Sequence, residues 1–160
     1  MKYIIRPIKT TDEAFLWEIL YQALYIPPGK SPLPKDIVFQ PQLAKYVANW
    51  KPNQDTGFIA ATKDKTSVGA TWLRVFTSND PGYGYIDDYT PELTIAVLPK
   101  YRAQGVGTKL LTKLFSQAKS YYSSVSLSIS SDNPAFKLYR RFGFEIISQH
   151  NNSLIMKKDF

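Results

Sequence analysis

The sequence predicts a single α/β domain over residues 1–160, and three observations lead to it. Strand-type and helix-type apolar patterns alternate along the chain, separated by Pro, Gly and Asn. At 160 residues the chain is close to the usual domain size and long enough to bury roughly two thirds of its unfolded surface. Its 44% hydrophobic and 21% charged residues are those of an ordinary globular protein, which excludes a disordered, collagen-like or coiled-coil chain. The sequence has no internal repeat and no low-complexity tract.

Residues 2–8 read as a short strand, and Thr11-Asp12 opens a helix whose apolar positions Phe15, Leu16, Ile19, Leu20 and Leu24 have helical spacing. The segment 26–34 holds four prolines and a glycine, which force an extended or turning path. A short helix over 42–50 and strands over 56–62 and 66–76 follow, then a Tyr-, Gly- and Asp-rich connection over 77–89. Leu93 to Leu98 is a buried-type strand stopped by Pro99. The spacing predicts a helix over 105–119, with Val106, Leu110, Leu111, Leu114, Phe115 and Ala118 on one side and most of the lysines on the other. Val125, Leu127 and Ile129 alternate with serines, as in a half-buried strand. Asn133-Pro134 starts a helix that Gly143 ends, and 144–148 and 153–157 close the chain as strands.

Missing residue types narrow the chemistry. There is no Cys, so disulfides, thiolate nucleophiles and Cys-bound metals are excluded. The single histidine, His150, lies in a polar run that reads as a solvated turn, and no Gly-x-Ser-x-Gly elbow exists to partner it. Acid–base chemistry would have to come from carboxylates, tyrosines or lysines, and no metal is expected. Arg6 and Pro7 interrupt the N-terminal apolar run, so it is not a signal peptide, and no stretch approaches the ~20 apolar residues of a membrane span. The expectation is a cytoplasmic protein. A net charge of +7 favours an anionic partner. The basic residues are scattered and the aromatics follow core periodicity, which argues against a nucleic-acid-binding domain.

The informative segment is Pro99-Lys100-Tyr101-Arg102-Ala103-Gln104-Gly105-Val106-Gly107 between a strand and a helix. Two glycines at a helix mouth let backbone N–H groups approach an anion, and Arg102 adds a cation there. It is neither a Walker loop, lacking Gly-Lys-Ser/Thr, nor a dinucleotide fingerprint, since Leu110 takes the third glycine position. Alone, the segment is read equally well as a capping turn without a ligand. About thirty residues later comes Asn133-Pro134-Ala135-Phe136-Lys137-Leu138-Tyr139-Arg140-Arg141-Phe142-Gly143-Phe144. Together the two segments resemble the GNAT superfamily of acyl-CoA-dependent N-acyltransferases. Arg102, Gly105 and Gly107 match its pyrophosphate loop, and Asn133, Tyr139, Gly143 and Phe144 match its second pattern loosely. The resemblance covers about residues 90–148.

The resemblance implies a mixed, partly splayed sheet flanked by helices, with acetyl-CoA as acyl donor. The cofactor would lie where the strand at 93–98 parts from that at 125–129. The backbone of Ile95, Ala96 and Val97 would pair with pantetheine. Arg102, Ala103, Gln104, Gly105, Val106 and Gly107 would hold the pyrophosphate, and Asn133 would sit beside the pantetheine arm. Ala103 departs from the family's common glycine; if φ is positive there, the departure costs about 1 kcal/mol. The superfamily also makes a homodimer possible.

A chain without Cys suits direct attack of an amine on the thioester. An alkylammonium of pKa about 10.4 is only ~0.04% neutral at pH 7, so a base is needed. Glu92, at the start of the strand, is the candidate, with Asp87 and Asp88 as rivals. Tyr139, with a reference pKa near 10, can protonate a leaving thiolate of pKa about 8.5. The acceptor would be a small-molecule or peptide amine held by 25–40 and 77–90. Tyr83, Tyr85, Asp87, Asp88 and Tyr89 point to a cationic acceptor, whereas Arg74, sharing a strand face with Trp72 and Phe76, points to a carboxylate. An acyl-CoA-sensing module without catalytic activity is the alternative reading.

Overall fold

The computed structural model describes residues 2–52 and 54–160; Met1 and Asn53, which fall within the expected domain, lie outside the described residues. Seven strands, β1 (Ile4–Pro7), β2 (Thr56–Ala61), β3 (Ser67–Arg74), β4 (Glu92–Val97), β5 (Ser124–Ser130), β6 (Glu145–His150) and β7 (Ser153–Asp159), form one sheet in the order β1-β2-β3-β4-β5-β7-β6. Every neighbouring pair is antiparallel except β4 and β5, which are parallel. Helices α1 (Glu13–Ala23), α2 (Pro41–Ala44), α3 (Val106–Ala118) and α4 (Phe136–Arg141) flank it. The sheet is therefore mixed, as the resemblance implies.

Strand alternation divides the core into two layers. Phe58 and Ala60 of β2 pack with Val68 and Leu73 of β3 against Leu110, Leu111, Leu114 and Phe115 of α3. Ile59, Ala70 and Trp72 point the other way, onto Leu16, Ile19 and Leu20 of α1 and onto Leu43, Tyr46 and Val47 in and after α2. The crossover from β4 through α3 to β5 makes the parallel pair possible, because parallel neighbours cannot be joined by a tight hairpin.

That parallel pair is short. β4 and β5 are in register only at Glu92↔Ser126, where the Ser126 N–H donates to the Pro91 carbonyl at 3.0 Å. Two strand edges therefore face one another across a cleft, Leu93–Val97 on one side and Leu127–Ser130 on the other.

Several elements differ from the sequence expectation; β3 stops at Arg74 instead of reaching 76, and β7 runs on from 157 to Asp159. The helix expected over 42–50 stops at Ala44; turns continue the path, and Asn49 takes a left-handed φ of +61°, which ends helical hydrogen bonding. α4 begins at Phe136 rather than Pro134, because the Asn133 side chain accepts the Ala135 N–H at 2.9 Å and first closes a tight turn. β6 extends to His150, which pairs with Ser153 at an exposed sheet edge instead of sitting in the turn.

Arg74 at the end of β3 is spent on structure. Its guanidinium holds Asp55 through two contacts of 2.9 and 3.1 Å and donates to the carbonyls of Lys45 and Ala48 at 2.7 and 2.8 Å. It also lies 5.6 Å from the centre of the Trp50 ring. Bidentate pairing with nine-tenths of both side chains buried makes this a strong clamp. Arg74→Met is expected to lower unfolding free energy in urea by about 3 kcal/mol, because Asp55 loses its cation, keeping only the Lys51 N–H, and two carbonyls lose a donor; a loss below about 1 kcal/mol would show the clamp to be dispensable.

Candidate active site

The cleft is first a matter of backbone. Residue amides alternate in direction along a strand. Leu98 donates its N–H to Val68 on the β3 side, while the Pro91 carbonyl is engaged by β5. Ile95 and Val97 therefore turn N–H and C=O toward the cleft, and Ala96 turns toward β3, opposite Ala70. The expected three-residue edge narrows to two, with Ala96 contributing its side chain. The Val97 carbonyl already accepts from Arg102 Nε at 2.8 Å, so that rung offers only its N–H.

Past Pro99 the chain makes a 3-10 turn and enters α3 through two left-handed residues, Ala103 at φ +59° and Gly105 at φ +82°. Ala103 does adopt the conformation that costs a Cβ-bearing residue about 1 kcal/mol. Gly105 is the N-cap of α3 and supplies no side-chain cap, so the N–H groups of the first turn stay open. A Cβ on Gly105 would meet nothing within 4 Å, and one on Gly107 would make only ordinary contacts, the nearest at 3.6 Å. Packing therefore does not demand a glycine at 107, and what the small residue leaves free is the groove in front of the helix.

Arg102 also holds the Gln22 side chain at 3.1 Å, tying this turn to α1. Gln104 points elsewhere: its amide accepts from the Tyr3 hydroxyl at 2.7 Å and donates to the Lys100 carbonyl at 3.3 Å. The Val106 side chain is buried in the core. For these two only the backbone is available to a ligand.

Three hollows converge here, each including Ile95 and Tyr139 in its wall. A groove of about 590 Å³ runs along Ile95–Val97, Arg102, Ala103, Gly105–Gly107 and Arg141. An outer arm of about 550 Å³ passes under Tyr21–Ile26, Pro32 and Asn133. A smaller inner arm of about 170 Å³ reaches down to Glu92 and Tyr46 beneath Tyr83.

Glu92 forms the floor of the inner arm and is only 4% exposed. Oε2 accepts the Tyr46 hydroxyl and Oε1 accepts the Gly84 N–H at 2.9 Å. The Tyr46 oxygen in turn accepts the Tyr83 N–H at 2.8 Å, and Ser126 Oγ donates to the Gly84 carbonyl at 2.7 Å. The 82–84 segment is thus laid across the carboxylate and needs its glycines. A Cβ on Gly82 would overlap Glu92 Oε1 and stand 2.8 Å from the Tyr46 hydroxyl. One on Gly84 would stand 2.9 Å from the Ser128 nitrogen. Burial pushes the Glu92 carboxyl up to about 7, against the pull of the Tyr46 and Gly84 hydrogen bonds and of the Lys45 charge. That value lets one group both hold and release a proton near neutrality.

Tyr139 projects from α4 to the junction of the three hollows, its ring edge-on to Phe144 at 5.7 Å. Loss of water around the hydroxyl raises its pKa, so it stays protonated at neutral pH.

The other expected site residues are distributed differently. Tyr83 lines the inner arm, and Tyr25 and Pro32 line the outer one. Asp87, Asp88 and Tyr89 instead border a separate hollow with Tyr121 and Tyr122. The Tyr89 N–H holds Asp87 below the usual carboxylate range, and Asp88 accepts from the Ser78 N–H and the Tyr85 hydroxyl. Neither lines the three hollows. Trp72 is fully buried and donates to the Tyr46 carbonyl at 2.9 Å, and Phe76 packs on Tyr46 at 4.9 Å. Neither they nor Arg74 lines the three hollows. Tyr46 is the residue that sequence reasoning missed, because it reads as one more apolar position of a short helix. The alternation Gly82-Tyr83-Gly84-Tyr85 was the available sign of a loop pressed against something.

The fold belongs to a known class. Residues 17–144 match the acetyltransferase (GNAT) family, and the chain is a member of it. It is 29% identical over 110 residues to a mycothiol acetyltransferase of Corynebacterium aurimucosum, a match covering 64% of this chain and 34% of the relative. The chain thus spans about a third of that protein. Its fold is like that of the PaiA N-acetyltransferase of Thermoplasma acidophilum in complex with coenzyme A, with a TM-score of 0.70, 18% identity and all of both chains covered. YncA of Salmonella typhimurium, solved with acetyl-CoA, gives a TM-score of 0.70 at 20% identity over 99% of this chain and 94% of that one. The ribosomal-protein-S18-alanine N-acetyltransferase of Escherichia coli gives 0.67 at 19% identity, with coverage of 99% and 94%.

The raised Glu92 carboxyl has a consequence for folding. Its native pKa of about 7 lies above its ordinary 4.5, so the folded state binds that proton more tightly than the unfolded one. Its contribution is fully present below pH 4.5 and lost as pH rises through 7, a change of about 3 kcal/mol. Comparing urea unfolding of the protein and its Glu92→Gln variant between pH 4.5 and 8 is expected to show this slope only with Glu92; parallel curves would refute the shifted value.

Proposed function

We propose that the protein is an acetyl-CoA-dependent N-acetyltransferase that acetylates a primary amine by direct attack, with Glu92 as general base and Tyr139 as general acid. The observation that supports it most is the convergence of the three hollows: a groove lined by free amides and a chamber floored by a carboxylate both have Tyr139 in their walls.

In this reading Ile95 and Val97 pair with the pantetheine amides as an added strand would. The open N–H groups of Val106, Gly107 and Thr108, at the positive end of the α3 dipole, receive the pyrophosphate together with Arg102. The thioester then lies at the junction. Glu92, directly or through a water, takes one proton from the ammonium. The freed nitrogen lone pair attacks the thioester carbonyl carbon, forming the C–N bond as the C–S bond breaks. Sulfur leaves with a proton from Tyr139, which recovers one from the newly acylated nitrogen. One proton in all passes through Glu92 to solvent. Positioning of the two reactants supplies much of the acceleration.

Calorimetric titration is expected to give micromolar binding of acetyl-CoA and CoA and no binding of ATP. No heat with either CoA species, with no thermal shift, would overturn the proposal. Tyr139→Phe is expected to lower turnover at least tenfold with little change in acetyl-CoA affinity. Unchanged turnover would remove Tyr139 from the acid role. A protein that binds acetyl-CoA yet transfers to no amine would be the sensing module instead.

The rate of the active enzyme is expected to fall on the acid side with a midpoint near 7, set by Glu92. Tyr46→Phe removes a hydrogen bond that favours the carboxylate, so the midpoint should move to higher pH; a midpoint unmoved in Tyr46→Phe and present in Glu92→Gln would place the base elsewhere.

A further inference from the structure

Resting on the transferase reading, we infer that the inner arm is the acceptor chamber and that it takes a primary monoamine on a short, uncharged, apolar arm. It excludes amines carrying a carboxylate or a second cation near the reacting nitrogen.

The chamber's charge inventory is the main argument. Among the described residues that line it, Glu92 is the one charged side chain; eight of the other fourteen are apolar, among them Leu20, Leu24, Leu43, Leu127 and Ile129, and the rest are uncharged polar groups. A carboxylate has about four lone-pair positions, and Tyr46 and Gly84 occupy two on Glu92. One ammonium can therefore be received and neutralised there, and only one.

The charged residues nearby are already engaged. Arg74 is held by Asp55 and two carbonyls, facing away from the chamber. Lys45 is held by Asp80 at 2.8 Å and by the Pro81 carbonyl. Asp87 and Asp88 border the separate hollow. An α-carboxylate entering with the amine would find no cation in the wall, only the field of a Lys45 already paired with Asp80, and would sit beside Glu92, like charge against like charge. A second ammonium would be buried without a partner. A neutral amide meets no such penalty, because Ser128 and Asn133 in the wall offer hydrogen bonds.

Size sets the length of the arm. The chamber's volume of about 170 Å³ is close to the roughly 150 Å³ of an apolar cavity that holds benzene, so five or six carbons fill it. The ring of Tyr83, 57% exposed, borders the chamber.

The test is a matched set of acceptors given to the whole protein with saturating acetyl-CoA: 3-methylbutylamine, leucinamide, leucine and 1,5-diaminopentane. Acetylated product is measured by mass spectrometry, and kcat/KM is compared at equal concentrations of neutral amine. The first two are expected to exceed each of the last two at least tenfold. A smaller margin, a reversed order, or no acetylation of any of them by protein that binds acetyl-CoA would overturn this acceptor class and leave the cofactor site standing. Failure to bind acetyl-CoA would instead overturn the transferase reading beneath it.

Discussion

A single carboxylate at the parting of two strands organises this molecule. Glu92 stands at the one register position that β4 and β5 share. On the N-terminal side of that rung the Ser126 N–H is bonded to the Pro91 carbonyl; on the other side the sheet opens. Burying an ionisable group is costly unless it is hydrogen-bonded. Here Tyr46 comes up from the segment after α2, and the 82–84 loop comes down over the carboxylate, to meet that requirement. Ser126 then fastens the loop to β5. Satisfying one charge thus ties together four separate stretches of chain at the point where the cleft begins.

On the proposed reading, donor and acceptor sides are built by different means. The groove along β4 and the entry to α3 depends on main-chain amides, one left-handed alanine and one left-handed glycine. The chamber beside it depends on side chains drawn from α1, the segment after α2, the loop and β5. Tyr139 belongs to both, since α4 sets it where the two spaces meet.

The donor side was the more legible from sequence for that reason. A turn that opens a helix leaves local marks: Pro99, the Gly105-x-Gly107 spacing, and Arg102 beside them. The second half of the sheet was equally plain, because Val125, Leu127 and Ile129 alternate without interruption. Local marks do not report direction, so Ala96 was grouped with its neighbours although its amide faces β3. On the acceptor side the reasoning was weaker because those contacts are long-range. Nothing near Tyr46 in sequence indicates a partner 46 residues away. Arg74 looked like a ligand for a carboxylate only because Asp55 and the carbonyls of Lys45 and Ala48 could not be seen to claim it.

The backbone character of the groove bears on how such a protein changes over time. A substitution can remove a side chain, but it cannot remove an amide short of proline. Ile95 and Val97 present their N–H groups whatever side chain they carry, and the α3 dipole survives most exchanges along the helix. The chamber has no such protection: replacing a leucine in its wall by an arginine or a glutamate would give it a different charge inventory at once. On the proposed reading, drift in this sequence falls unevenly, sparing the apparatus that holds the common donor and exposing the surface that selects the acceptor. One scaffold can in this way explore new acceptors without rebuilding its grip on the molecule they share.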